Sequence, residues 1–107
     1  MDAGTFKSIL VKAGAMVTIL RPSTSESFSV IMAGPGTIKD ETLMAEARQN
    51  DEMGVFSVLD FEGQLFTEPF IGDRITDADG TTFSIEQIKK AYGLQRALYG
   101  WKCRIRG

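Results

Sequence analysis

Catalysis and metal binding start from nucleophiles, bases and soft ligands, and this chain carries few of them. It has no histidine and a single cysteine, Cys103. Without imidazole there is no Ser-His-Asp or Cys-His arrangement, and the commonest metal ligand is missing. One thiol builds neither a zinc site nor an internal disulfide, which points to a reducing compartment. Cys103 alternates with Trp101 and Ile105, so its expected role is that of a small buried hydrophobe.

Three glycine-containing stretches invite a ligand reading and fail it. "DADG" at 77–80 opens like an EF-hand loop, but the later glutamate is missing and the flanks read as strands. "GPG" at 34–36 has no lysine and Ser/Thr to complete a phosphate loop, and "AYGLQRALYG" has neither G-x-G-x-x-G nor a preceding strand–helix context. Residues 40–79 hold eleven acids against Arg48 and Arg74, a local charge near −9. So many carboxylates make any one pair unremarkable as an acid–base couple. No catalytic residue, no metal ligand and no cofactor site is assigned, and the chain is read as a non-enzyme.

The charge is segregated. Overall it is −2, yet residues 86–107 hold Lys89, Lys90, Arg96, Lys102, Arg104 and Arg106 against Glu86. Either solvated faces screen one another, or the molecule has unlike ends suited to head-to-tail association. A basic strand near Tyr92, Tyr99 and Trp101 also suggests a sequence-tolerant nucleic-acid surface on a small barrel. Against this, Trp101 falls on the face opposite Lys102, Arg104 and Arg106.

The elements that would carry these groups follow from periodicity. The 107 residues, 43% of them hydrophobic, suit one domain spanning 1–107. In "TFKSILVKA" the apolar positions Phe6, Ile9, Leu10 and Ala13 form a helical stripe over 5–13, with Thr5 as N-cap and Gly14 as stop. "MDAGTFKSILVKAGAM" is neither a signal-peptide core nor a membrane span, so a soluble intracellular protein is expected. "AMVTILR" and "SFSVIMA" read as strands 15–21 and 27–33 joined as a hairpin and ended by Gly34-Pro35-Gly36. Residues 34–53 read as an acidic, mobile insertion, with a thin apolar stripe that allows a central helix over 40–49. "GVFSVLDF" is a strand with Val55, Ser57 and Leu59 on one face. "DRITDA" and "TTFSIEQI" pair around Asp79-Gly80, a strong hairpin signal. "KKAYGLQRALYG" reads as a long connection. "LYGWKCRIR" is a last strand with a core face and a basic face. The expected fold is mainly β: a small antiparallel β-barrel or sandwich of about six strands, with a short N-terminal helix and the central helix as an option.

In this order the elements resemble the small head–tail joining proteins of tailed bacteriophages, the head-completion or neck proteins. The segment with "GD-R-I…DG-T-x-F-x-I", residues 72–85, carries most of the likeness, and the order of elements extends it along nearly the whole chain. The resemblance implies a small barrel without catalysis that assembles as a ring of its own copies between portal (connector) and tail proteins, around passing DNA. It implies a place in the virion, with the host cytoplasm as the site of assembly, and no membrane. On this reading residues 34–53 are the docking loop. Asp40, Glu41 and Glu46 on one side and Lys102, Arg104 and Arg106 on the other are the contacts between neighbours.

Overall fold

The computed structural model of the chain describes residues 2–34 and 51–107. The proposed helix at 40–49, and with it Asp40, Glu41 and Glu46, lies outside the described residues. Helix α1 (Ala3–Ala13) precedes six strands: β1 (Ala15–Arg21), β2 (Glu26–Ala33), β3 (Asp51–Ser57), β4 (Arg74–Thr76), β5 (Thr82–Tyr92) and β6 (Leu98–Arg106). They close an antiparallel barrel in the order β1-β2-β3-β6-β5-β4. The barrel alternative of the sequence reading is therefore the observed one.

Most strands alternate between interior and exterior, and large apolar side chains fill the interior. Val17 and Ile19 of β1, Val30 and Met32 of β2, Phe56, Ile75, Ile85, Trp101, Cys103 and Ile105 form one buried cluster with Phe61 and Phe66. Aromatic rings fill its middle: Phe61 packs edge-on against Trp101 with centroids 5.0 Å apart and against Phe28 at 5.4 Å. Such contacts add to the burial of large apolar rings. Gly54 sits where a Cβ would come within 2.6 Å of Met32 Sδ, so its missing side chain leaves the space that Met32 fills.

A second, smaller core lies outside the barrel wall. Helix α1 lays Phe6 and Leu10 over Ala33, Met53 and Val55, with Ile31 and Tyr99 at the margin. This explains why β3 departs from simple alternation. Met53 through Ser57 are all buried, because the barrel covers one face of the strand and the helix covers the other. Gly100 permits the approach, since a Cβ there would lie 2.2 Å from Phe56 O and 2.5 Å from Phe6 Cε2. Full burial of Phe6 is worth roughly 1.5–3 kcal/mol. The helix alone, eleven residues long, is too short to persist without it.

Several boundaries differ from the sequence reading for local reasons. The N-cap is Asp2 rather than Thr5: Thr5 N donates to Asp2 Oδ1 at 2.7 Å, and the same bond holds the Asp2 carboxyl below its ordinary pKa. Strand β3 begins at Asp51, inside the expected insertion, and stops at Ser57. Ser57 Oγ caps a 3-10 turn at Val58–Asp60 by accepting from Leu59 N, so Leu59 and Asp60 are not strand residues. Strand β4 has only three residues, flanked by the clamp described below and by the Asp77–Thr81 turn. The expected long connection at 89–100 is mostly strand. β5 runs to Tyr92, and only residues 93–97 turn the corner, with Gln95 and Arg96 at φ near 58° and 57°.

Strand directions place the loops. One barrel end carries the β1–β2 turn, the long 58–73 connection and the β5–β6 turn. The other carries the α1–β1 junction, the β4–β5 turn and the end of β6. The acidic 60–73 stretch and the basic 89–96 stretch thus share an end rather than opposing each other.

Gly100→Ala is expected to lower stability by about 3 kcal/mol, because the contact is with backbone and a packed ring that cannot yield cheaply. Urea denaturation measures this. A loss below about 0.5 kcal/mol, the range of ordinary surface changes, would mean that the helix does not lie on the barrel as described.

Candidate functional site

The segment 72–85 has a distinct job at each position. Gly72 has φ +95°, a left-handed conformation that only glycine takes without strain, and it turns the chain into β4. Asp73 follows, 2% exposed. Arg74 points outward and Ile75 inward to the core. At the far end of β4, Asp77 Oδ1 accepts from Asp79 N and Thr81 N at 2.9 Å each, and Gly80 takes φ +85°. That oxygen of the "DADG" stretch is therefore engaged by the turn's own amides. Among the described residues, no group of three or more Cys, Asp or Glu is placed to hold a metal ion.

Asp73 is the hub of a buried clamp. Arg21, the last residue of β1, donates Nε to Asp73 Oδ1 at 3.1 Å and Nη2 to Oδ2 at 2.9 Å. Nη2 also reaches Glu68 O at 2.8 Å, and Phe70 N donates to Asp73 Oδ2 at 2.8 Å. The guanidinium lies between two rings, 3.9 Å from the centroid of Phe66 and 3.8 Å from that of Phe70. A planar cation with a forked donor set is suited to this double role, and lysine is not. The clamp ties the 61–73 connection to the barrel rim and holds Leu65, Phe70 and Ile71 in solvent at 62%, 48% and 66% exposure. A shallow cleft of about 240 Å³ runs along it, lined by Arg21, Pro22, Ser23, Phe70, Ile71, Gly72 and Asp73.

Lys102, Arg104 and Arg106 do lie on the outer face of β6, opposite buried Trp101, Cys103 and Ile105. Arg104 and Arg106 both meet Asp51. Arg106 donates to both oxygens of Asp51, at 2.7 and 3.1 Å, and its Nη1 lies 3.1 Å from Glu86 Oε1. The bonds to Asp51 raise its pKa further above the ordinary arginine value. Arg104 Nε is 3.5 Å from Asp51 Oδ2, yet Arg104 Nε and Nη1 are buried without a hydrogen-bond partner. Asp51 thus stands between two guanidiniums. Similarly, Asp60 ties the helix to the barrel by pairing with Lys7 and accepting from Ile31 N at 2.9 Å.

Cys103 is buried in the apolar core, and burial pushes its thiol pKa far up, with the Asp73 charge adding to the effect. It stays a thiol at neutral pH, consistent with the packing role expected of it. The sequence reading missed the Arg21–Asp73 pair. Its only local signal is the Gly72-Asp73 step, and fifty-two residues separate the partners.

Fold and surface together define a closed six-stranded antiparallel barrel with an external helix and a clamped rim loop. Comparison with protein-family models, curated proteins and solved structures returns no match.

Asp73→Ala should cost about 3–5 kcal/mol, because it strands a guanidinium between two rings. Replacing both partners, Arg21→Met with Asp73→Leu, should cost less than that single change. Denaturation midpoints of the two proteins test this, and equal losses would reduce the clamp to ordinary packing.

Proposed function

We propose that this chain is a structural subunit of the neck of a tailed bacteriophage, one of several copies forming a ring that joins head to tail. Its partners on this reading are copies of itself, the portal and tail proteins, and the DNA that passes through the ring. Its place is the virion, after assembly in the host cytoplasm. The reading rests first on the resemblance of the 72–85 segment and the order of elements.

The observation that carries it is the clamped rim. A buried ion pair and two stacked rings stiffen a loop whose exposed residues include Leu65, Phe70 and Ile71. Exposed apolar residues on a stiff support suit a surface that another protein covers. Phe56, Phe61 and Trp101 fill the barrel interior. Ring geometry requires each subunit to be rigid, and a closed barrel stapled by a helix meets that need.

Nucleic-acid binding is the second reading. Tyr92 is 53% exposed at the tip of the β5–β6 hairpin, with Lys90 and Arg96 beside it in the chain. That combination could stack on a base and hold a phosphate. Such binding would weaken steeply with salt, with a log–log slope of several units.

Disrupting the gene in the phage that carries it should give DNA-filled heads and separate, complete tails under the electron microscope. Intact tailed particles from such an infection would rule the neck role out. In a titration with a short DNA duplex, weak binding with a shallow salt slope is expected, and a steep slope would favour the second reading.

A further inference from the structure

A row of polar side chains crosses the outer face of the barrel, from Arg74, the residue after Asp73 of the clamp, to Asp51 at the start of β3. Arg74 of β4 pairs in register with Ser84 of β5, Ser84 with Arg106 of β6, and Arg106 with Asp51 of β3. Residues directly opposite one another share a face, and the alternate positions Ile75, Ile85 and Ile105 fill the core, so this row faces outward. A cleft of about 280 Å³ opens along it, lined by Arg74, Thr82, Phe83, Ser84, Arg106 and Gly107.

Among the described residues, one charge in this row has no partner. Arg106 is satisfied by Asp51 and Glu86, and Arg104 borders the same Asp51. Arg74 is exposed and makes no ion pair or hydrogen bond through its side chain among the described residues. Arg74 thus brings a positive charge with no partner among the described residues to a cleft where the Ser84 hydroxyl donates to Glu86 Oε1 and the Thr82 hydroxyl pairs with that of Thr76. One carboxylate suffices to pair Arg74. A nucleic-acid backbone would need several uncompensated cations, since its affinity comes from displacing counterions at many phosphates.

We propose that this cleft seats a carboxylate of a second copy of the chain, supplied by that copy's clamped loop. The loop carries Glu62, exposed, and Glu68, half-buried, on either side of exposed Leu65, with Phe70 and Ile71 close behind. Phe83 gives the cleft an apolar wall to meet them. Loop and cleft are different surfaces of one molecule, so each copy offers one of each. That is a heterologous contact, which closes into a ring when the rotation between copies allows. The inference rests on the ring reading above and names the two surfaces that would form it.

Charge exchange tests it. In sedimentation velocity at low salt and high concentration, Arg74→Glu should weaken self-association by about tenfold or more, as should Glu62→Lys with Glu68→Lys. The protein carrying all three changes should regain the original association. Arg74 is exposed, so its variants should keep the parent thermal midpoint, which is checked first. Association unchanged by Arg74→Glu, or not restored in the triple variant, overturns the pairing. So does a parent protein that stays monomeric to millimolar concentration. If Arg74→Glu instead abolishes binding of a short DNA duplex, the cleft is a phosphate site and the pairing falls. These results leave the neck role to its genetic test. Tailed particles without the gene product, alongside a successful charge exchange, would keep the contact and remove the neck.

Discussion

The Arg21–Asp73 pair is the constraint around which the barrel is organised. Strand β4 has three residues, and it alone bridges β1 and β5. So short a strand cannot hold its place by ladder hydrogen bonds alone. The clamp fixes the residue before it: Asp73 is locked to the end of β1 by Arg21, and Asp73 O accepts from Ile85 N at 2.9 Å, so β1 and β5 are held at one point. Buried ion pairs often add little net stability against apolar substitutes. Here the pair specifies register. Shifting β4 by one residue would bury Arg74 and expel Ile75, besides breaking five polar contacts.

The same arrangement explains why the long 58–73 connection is ordered though it has little regular structure. Its backbone groups are met by side chains and turns: Phe61 N by Val58 O, Phe70 N by Asp73 Oδ2, Gly72 N by Ile85 O. Phe61 and Phe66 point inward and plug the barrel end. The residues left outside, Leu65, Phe70 and Ile71, are held by those inside. A stiff apolar surface forfeits less ordering entropy on docking than a loose one, which makes it suited to assembly.

Much of the barrel was legible in the sequence because side-chain alternation survives wherever one face meets water. β1, β2, β5 and β6 all carry it, and Asp79-Gly80 marks its turn by a conformation that few residues accept. β3 was harder to read. Val55, Phe56 and Ser57 are all buried because α1 covers the outer face, and no local pattern announces a helix packed from the far end of the chain. The N-cap was misplaced by three residues because Thr5 and Asp2 are both good caps, and only geometry shows which donates and which accepts. The β5–β6 hairpin looked like a loop because Gly93 and Gly100 punctuate it. Gly100 is in fact a strand residue kept small by Phe6.

The basic face illustrates why charge counts mislead at the level of a site. Lys102, Arg104 and Arg106 read as an exposed stripe, and the alternation that put them outside is correct. The availability of that charge is another matter. Asp51 faces Arg106 across the β3–β6 ladder and accepts from its Nε and Nη2, while Glu86 pairs with its Nη1. Reversing Arg106 would therefore remove a partner from two carboxylates and harm the fold as well as any interface. Arg74 looks unexceptional in sequence, as one cation in an acidic half of the chain. In the fold the nearest acid, Asp73, is turned inward to Arg21, and the β4–β5 ladder sets Arg74 beside Ser84. Free charge is decided by which neighbours are already spoken for, and that is a property of strand register rather than of composition.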